Sequence, residues 1–538
     1  MKNIIILTLI FLFFKVTYTQ GQVTQEWVSS YGGTGSGFNF PKKSAIDNLG
    51  NYIVAGNSNG IGGYDYVVLK YTPSGNLIWS QRYNGISNGS DYLTGMVLDD
   101  SGNVYVTGVS NEGAALGGIN WVTVKYNTNG QMMWKKSLNW VFNNTDEPVG
   151  INIDKEKNIY VVGFGRTISV YRQMITVKYS TDGDSLWTKV YRNSPNTHDW
   201  GYSVSIDDSL NVYSSGYGIL PVGNEIVTIK YDKNGNEKWI KKYPTYDGDF
   251  LRPTLSELDN EGNLIVVGNN YISNSQDFVT LKYSTEGNLI WSRFFNNGNL
   301  DRANSLFIDD QSNILISGYT VVNNDGDYLV LKYASNGDTL FIKNINGEGD
   351  SYDEAHSIVS DIDGNIYVTG SSHSTSFRSD YLTQKLTSDG NMIWSRVYRT
   401  SLENFAYCLG LDSLGNVFIS GEGELILGHT AIITVKYSTP TEISFNNNSL
   451  STSFELGNHP NPFNPETIIN FNLPNTGYIK LKIFDINGRE IETIVNQIKS
   501  SGQHFVRFNG SNYSSGIYFY SLFSDEKLVK TNKMILMR

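Results

Sequence analysis

Cysteine is all but missing: Cys408 stands alone among 538 residues. A single thiol rules out a disulfide within the chain, so stability has to come from packing. It also rules out a cysteine metal cluster, and Cys408 lies too far from the N-terminus to carry a lipoprotein's lipid. Charge is sparse at 17%, and its net balance of −11 repels phosphate backbones, which disfavours nucleic acid as a partner. The histidines (His198, His356, His373, His429, His459 and His504) show no metal-ligand spacing. Neither an HExxH helix motif nor a Gly-x-Ser-x-Gly elbow occurs. No catalytic residue, metal or cofactor is expected, and the chain reads as not an enzyme.

Long apolar runs are lacking too, apart from Ile4 to Phe14, broken by Thr8 and preceded by Lys2. Such a run rises about 16 Å as a helix, short of a hydrocarbon core of about 30 Å. With the polar stretch that follows, residues 1–20 read as a signal peptide cleaved near Thr19–Gln22, and the mature protein has no expected membrane span.

What is abundant is aromatic: 35 Tyr and 10 Trp, beside 53 Gly. That balance suits many short strands joined by tight turns. Internal periodicity then dominates. Trp27, Trp79, Trp134, Trp187, Trp239, Trp291, Phe341 and Trp394 recur every 50 to 55 residues. Four residues before each of the last seven stands a glycine: Gly75, Gly130, Gly183, Gly235, Gly287, Gly337 and Gly390. Ahead of most of these glycines runs a strand ending in Lys-Tyr, as in VVLKY (67–71) or VTVKY (122–126). A second turn pairs Asp with Asn four residues later, as in DNLGN (47–51), DIDGN (361–365) and DSLGN (412–416), and a strand ending in glycine usually follows, as in NYIVAG or NVYVTG. Asp and Asn bond neighbouring backbone groups, which makes these hairpin turns.

Each block therefore holds four strands, a to d. Radially stacked four-stranded units of this length make a β-propeller. Trp27 heads a lone strand d at the start, and the last block stops at KYSTP (436–440) without a Trp. The first strand would complete the last blade, giving eight blades over residues 23–440. The ordered set Asp-x-x-Gly-Asn, Tyr-Val-Thr-Gly, Lys-Tyr and Gly-x-x-x-Trp resembles the bacterial SBBP β-propeller repeat family over about residues 27–440. That resemblance implies an exported propeller and leaves its activity open. The Gly-x-x-x-Trp spacing is also similar to the structural docking motif of eight-bladed quinoprotein dehydrogenases.

Residues 441–454 read as a polar linker, and residues 455–538 as a small immunoglobulin-like β-sandwich. Asn461-Pro462-Phe463-Asn464-Pro465, Asp485 to Glu490 with Gly488 and Arg489, Ser515-Gly516-Ile517-Tyr518 and the closing Lys533-Met534-Ile535-Leu536 are the telling segments. They resemble the C-terminal sorting domain, type A, of type IX secretion (Por) substrates in the Bacteroidetes–Chlorobi group. The resemblance implies recognition by the type IX machinery and a secreted or outer-cell-surface location, with Asn461, Pro462, Asn464, Pro465, Gly488, Arg489, Gly516 and Lys533 as sorting signal.

The fold class expected is thus all-β. Asp361, Asp363 and Asn365 could offer oxygens to calcium, but seven sister turns manage with only the first Asp, so a structural turn is expected. An acidic residue recurs before strand a at Asp91, Asp146, Asp199, Asp249, Asp301, Asp353 and Glu403, and is expected to bond its own turn. The variable d–a and b–c connections share one face, where Tyr64, Tyr92, Trp200, Phe250 and Tyr352 could stack on sugars or peptides. The expected role is an adhesin-like binding module for an extracellular glycan or protein. The alternatives are an exported propeller enzyme acting on polysaccharide or peptide, or a purely structural envelope protein.

Overall fold

A computed structural model describes residues 23–438 and 454–537, except 34–36, 61, 114–117, 141–144, 168–170, 221–222, 245–249, 273–274, 298–299, 323–324, 348, 350–351, 375–377, 401, 427, 460, 475–476, 500–501 and 525–526. The expected signal peptide and nearly all of the expected linker lie outside the described residues. The chain divides into two compact units, Met1–Glu442 and Ile443–Arg538. Among the described residues no helix is long and apolar enough to cross a membrane.

Among the described residues, the first unit is built of eight four-stranded antiparallel sheets. In blade 1 the strands are Asn39–Ile46 (a), Tyr52–Asn59 (b), Tyr64–Tyr71 (c) and Leu77–Tyr83 (d), hydrogen-bonded in that order. Blades 2 to 7 repeat this plan. Blade 8 takes a, b and c from Asn404–Leu411, Val417–Ile426 and His429–Ser438, and strand d from Thr24–Tyr31 at the other end of the unit. Val28 pairs with Val435 and Tyr31 with Ile432 across that closure. The eight-bladed expectation is met, and strands a of successive blades pack on one another all the way round.

The two sequence repeats turn out to be the two fastenings of each blade. In the a–b turn of blade 1, Asp47 Oδ1 accepts the amides of Leu49 and Asn51, while Oδ2 accepts Asn51 Nδ2 at 2.9 Å. Lys70, the lysine of Lys-Tyr on strand c, reaches the same carboxylate at 2.9 Å. The pattern recurs in blade 5, where Lys282 meets Asp259 at 2.7 Å, and in blade 6, where Lys332 meets Asp309 at 3.1 Å. In blade 7, Asp361 serves its own turn, taking the amides of Asp363 and Asn365 and the hydroxyl of Tyr367.

The Trp and Gly join neighbouring blades. Trp79 donates its indole N–H to Thr128 O of blade 2 at 2.9 Å, and Trp239 donates to Thr285 O of blade 6's predecessor, blade 5, at 3.1 Å. Gly130, two residues after Thr128, lies against the Trp79 ring with φ +81; a Cβ there would stand 2.8 Å from Trp79 Cδ2. Only glycine therefore fits both the left-handed turn and the indole face. Phe341 replaces the indole at the junction of blades 6 and 7, where a cavity of about 490 Å³ opens beside Asp309, Asp361 and Ser388. Trp394 has no c–d turn to meet in blade 8, where the chain is discontinuous, and its buried indole N–H has no hydrogen-bond partner among the described residues.

The second unit is a sandwich of two antiparallel sheets. One orders Glu455–His459, Glu466–Leu473 and Gly502–Asn509; the other orders Glu490–Lys499, Gly477–Phe484, Gly516–Ser524 and Lys527–Leu536. Phe463, Ile469, Phe471, Leu481, Tyr520 and Met534 form part of its core.

Candidate functional site

Strand a is the innermost strand of each blade, and every one carries a β-bulge at the same place. The register shifts between Pro41 and Lys43, Leu93 and Gly95, Pro148 and Gly150, and Gly201 and Ser203 in blades 1 to 4. It shifts between Pro253 and Leu255, Ala303 and Ser305, Ala355 and Ser357, and Ala406 and Cys408 in blades 5 to 8. The extra residues are Lys42, Thr94, Val149, Tyr202, Thr254, Asn304, His356 and Tyr407.

The glycine that recurs in strand b permits the bulge. Gly56, Gly108, Gly163, Gly216, Gly318, Gly370 and Gly421 each sit under the carbonyl that precedes it, such as Phe40 O, Trp200 O or Glu354 O, and a Cβ would overlap that oxygen. A bulge re-aims a side chain. Here eight of them ring a central cavity of about 860 Å³, whose lining includes Lys42, Thr94, Val149, Tyr202, Asn304, His356 and Tyr407.

Four of the expected binding residues, Tyr64, Tyr92, Trp200 and Tyr352, lie in separate aromatic clusters. Tyr64 and Tyr92 pack at 5.2 Å between ring centroids, and Tyr64 also meets Phe40 at 5.8 Å. Phe40 lines the cavity. Trp200 stacks on Tyr217 at 4.5 Å, and Tyr217 packs against the bulge residue Tyr202 at 5.7 Å. Arg172 lies 5.1 Å over the Trp200 ring. Tyr352 packs on Tyr319 at 5.3 Å. Phe250 begins strand a of blade 5; its side chain lies outside what is described.

Tyr352 leads into a polar network that sequence motifs did not reveal. Its hydroxyl donates to Glu354 Oε2 at 2.9 Å, and Asn304 Nδ2 donates to Glu354 Oε1 at 2.8 Å. Arg302 forms an ion pair with the same carboxylate and lies 5.0 Å over Tyr319. His356 Nδ1 is 3.9 Å from Glu354, and its ring is 5.2 Å from Tyr407. Burial opposes ionisation of Glu354, yet His356 and Arg302 outweigh it and hold the carboxyl below its ordinary value. Burial lowers His356 despite Glu354 nearby, and Arg302 lowers it further.

The acidic positions before strand a serve their own loops. Asp91 accepts the amides of Gly85 at 2.6 Å and Asn111 at 2.8 Å; Asp353 accepts those of Gly347 at 2.6 Å and His373 at 2.9 Å. Asp146 and Asp199 are each pushed up to about 6 by burial. Aligned on the bulge, Asn404 rather than Glu403 holds this position in blade 8, and Asn39 holds it in blade 1. Asp249 lies outside the described residues. Cys408, next to the bulge, is buried, and burial pushes its thiol up to about 12.

In the sandwich, the Asn-Pro segment is tied to the last strand. Asn461 Oδ1 accepts Ile535 N at 2.9 Å, and Asn461 Nδ2 donates to Lys533 O at 3.1 Å. Pro462 leads to Phe463, whose amide donates to Ile535 O, and Asn464 to Pro465, whose carbonyl accepts Gly510 N. Gly488 turns at φ +78 in the Asp485 hairpin, where Arg489 pairs with Asp485 at 3.2 Å. Gly516 opens its strand opposite Leu536, and Lys533 is exposed on the last strand.

Residues 459–537 match the family described as a secretion system C-terminal sorting domain, and residues 78–113 and 342–378 match the family described as a beta-propeller repeat. This is an exported β-propeller protein. The sorting domain brings it to the type IX machinery and places it at the cell surface or outside. No curated protein matches the sequence.

Solved structures similar to the exported propeller include polysaccharide lyase Uly1, at 9% identity over 77% of this chain and 100% of that one, with a TM-score of 0.41. Puromycin hydrolase is 8% identical over 71% of this chain and 58% of that one, with a TM-score of 0.38. PorZ of Porphyromonas gingivalis, a surface component of the type IX secretion system, is 9% identical over 95% of this chain and 100% of that one, with a TM-score of 0.21. These likenesses concern the fold alone. They still correct one expectation: with a lyase and a hydrolase among the similar propellers, the exported propeller cannot be set down as a non-enzyme. The expectation failed because it rested on contiguous motifs, whereas a propeller can assemble polar groups from different blades, as Arg302, Glu354 and Tyr407 show.

Proposed function

We propose that the protein is an adhesin-like binding module, taking an extracellular glycan or protein at the channel mouth through Tyr64, Tyr92, Trp200, Phe250 and Tyr352. In the same proposal residues 1–20 are the signal peptide, 23–440 the propeller, 441–454 the linker and 455–538 the sorting domain, with Asn461, Pro462, Asn464, Pro465, Gly488, Arg489, Gly516 and Lys533 as its signal. One observation supports the reading: aromatic clusters join blades 1 and 2, lie within blade 4 and join blades 6 and 7, and the first two reach the cavity-lining residues Phe40 and Tyr202. Tyr92 and Tyr352 each keep 40% of their surface exposed, so both rings are open to a ligand.

The test is a binding screen of the purified full chain against polysaccharides, envelope extracts and surface proteins, repeated with Tyr92→Ala and Trp200→Ala. Central aromatic anchors contribute on the order of 1–2 kcal/mol, so each substitution should weaken binding by about tenfold. Unchanged affinity in both variants would refute the assignment of this face. Shortened polysaccharide in the same incubations would replace binding with catalysis.

A further inference from the structure

The lumen beneath the mouth carries a charge that the chain as a whole does not. The protein is acidic, with a net charge of −11, yet its first strand a places Lys42 and Lys43 side by side in the cavity wall. Lys42 is the bulge residue of blade 1. Among the described residues, neither lysine has a carboxylate within ion-pair distance, whereas the Lys-Tyr lysines of strand c, such as Lys70 and Lys282, meet the aspartate of their turn. Glu354 is engaged by Arg302, Asn304 and Tyr352. Glu257, on strand a of blade 5, has its ionisation opposed by burial, with Lys43 acting against that effect. Burial disfavours the charge of His356 and keeps Cys408 protonated at neutral pH.

Water reaches Lys42, but the surrounding walls disfavour its charge, and Lys43 disfavours it further. A pair of adjacent ammonium groups, on which Glu257 acts only from beyond ion-pair distance, is costly in the free protein and relieved by a bound anion. Their neighbours narrow the class of anion. Ser44, Ser203, Ser305 and Ser357 supply hydroxyls, and Tyr202 and Tyr407 supply ring faces. Hydroxyl groups beside aromatic faces suit a sugar, and a cavity of about 860 Å³ is of the size that holds a small ligand.

We propose that the channel is a subsite for an anionic sugar, whose acidic group sits on Lys42 and Lys43 while its ring lies against Tyr407 or Tyr202. This rests on the reading of the mouth as the point of ligand entry, and deepens it from a glycan to an acidic one.

Isothermal titration of the purified full chain tests it with four probes: oligogalacturonate, a sulfated oligosaccharide, a phosphorylated oligosaccharide and a neutral cello-oligosaccharide. The same titrations use Lys42→Gln/Lys43→Gln, Lys42→Arg/Lys43→Arg and Trp200→Ala. At least one acidic probe should bind more tightly than the neutral one, and the three arms distinguish carboxylate, sulfate and phosphate. The glutamine pair should lose about tenfold or more in affinity for it, and the arginine pair should retain binding within about threefold. Raising the salt should weaken the acidic complex and leave any neutral one unaffected. Since the paired charges repel in the free protein, the glutamine pair should melt no lower than the parent. Acidic and neutral probes binding alike, or a glutamine pair indistinguishable from the parent, would overturn the channel subsite. If binding of the neutral probe were then lost in Trp200→Ala, the binding module would stand without it. A chain that binds no probe contradicts the subsite, and the wider screen then decides the module.

Discussion

Deleting residues 23–31 is expected to lower the melting temperature on the order of 5 °C or more and to increase self-association of the propeller. The deleted strand is the outer strand of blade 8, and its loss uncovers strand His429–Ser438. Three fastenings disappear with it. Trp27, which packs on Tyr71 and Phe418 and donates to Pro73 O at 3.1 Å, is gone. So are the ion pair of Glu26 with Lys436 at 2.7 Å and the bond of Arg396 to Val23 O at 2.9 Å. Loss of the half-buried Trp27 packing alone costs about 1.5–3 kcal/mol, and in a chain this large each kcal/mol moves the melting point by only a degree or two. The uncovered strand, with Ile432, Ile433 and Val435, would offer an unpaired apolar edge, which drives association. Thermal melting and size-exclusion chromatography measure both effects. A truncated chain as stable and as monomeric as its parent would mean the ring does not depend on its N-terminal strand.

Removing residues 459–538 should leave the propeller folded but abolish its appearance at the surface or in the medium, with the protein accumulating in the periplasm. The sorting domain is a compact unit with its own core. A narrower change should act the same way. Phe463→Ala empties a buried site beside Phe508 and weakens the joint between the Asn-Pro segment and the last strand, at about 3–5 kcal/mol. In a domain of this size that is a large part of the total stability. Fractionation of a host with an intact type IX system reads the outcome. Undiminished surface or secreted protein from either variant would contradict a sorting role for these residues.

Much of this fold is legible in the residues because its fastenings are local or strictly periodic. The Asp…Asn turn bonds within five residues, as Asp47 to Asn51 shows, and the Gly-x-x-x-Trp period is a contact between adjacent blades, as Gly130 on Trp79 shows. The missing Trp after KYSTP and the surplus Trp27 announce the ring closure because a blade lacking its strand d must find one elsewhere. The site was less legible. A bulge adds one residue to strand a and displaces the alternation, so Lys42, Tyr202, Asn304, His356 and Tyr407 looked like ordinary strand positions. The glycine in strand b was visible, but its reason, a carbonyl pressed against it by the bulge, exists only in the paired sheet. Misregister followed from the same cause, with Glu403 taken for the position that Asn404 occupies. The Arg302–Glu354 pair joins residues on separate blades, and no linear motif encodes it.

The most direct test of the whole account is hydrogen exchange of the full chain, with and without a saturating amount of the tightest ligand from the binding screen. The account predicts added protection around Phe40–Lys43, Trp200–Tyr202 and Tyr352–His356, where strands a enter the channel mouth. Protection confined to the a–b and c–d turns, such as Asp47–Asn51 and Thr72–Asn76, would contradict it, since those turns emerge on the opposite face of the ring.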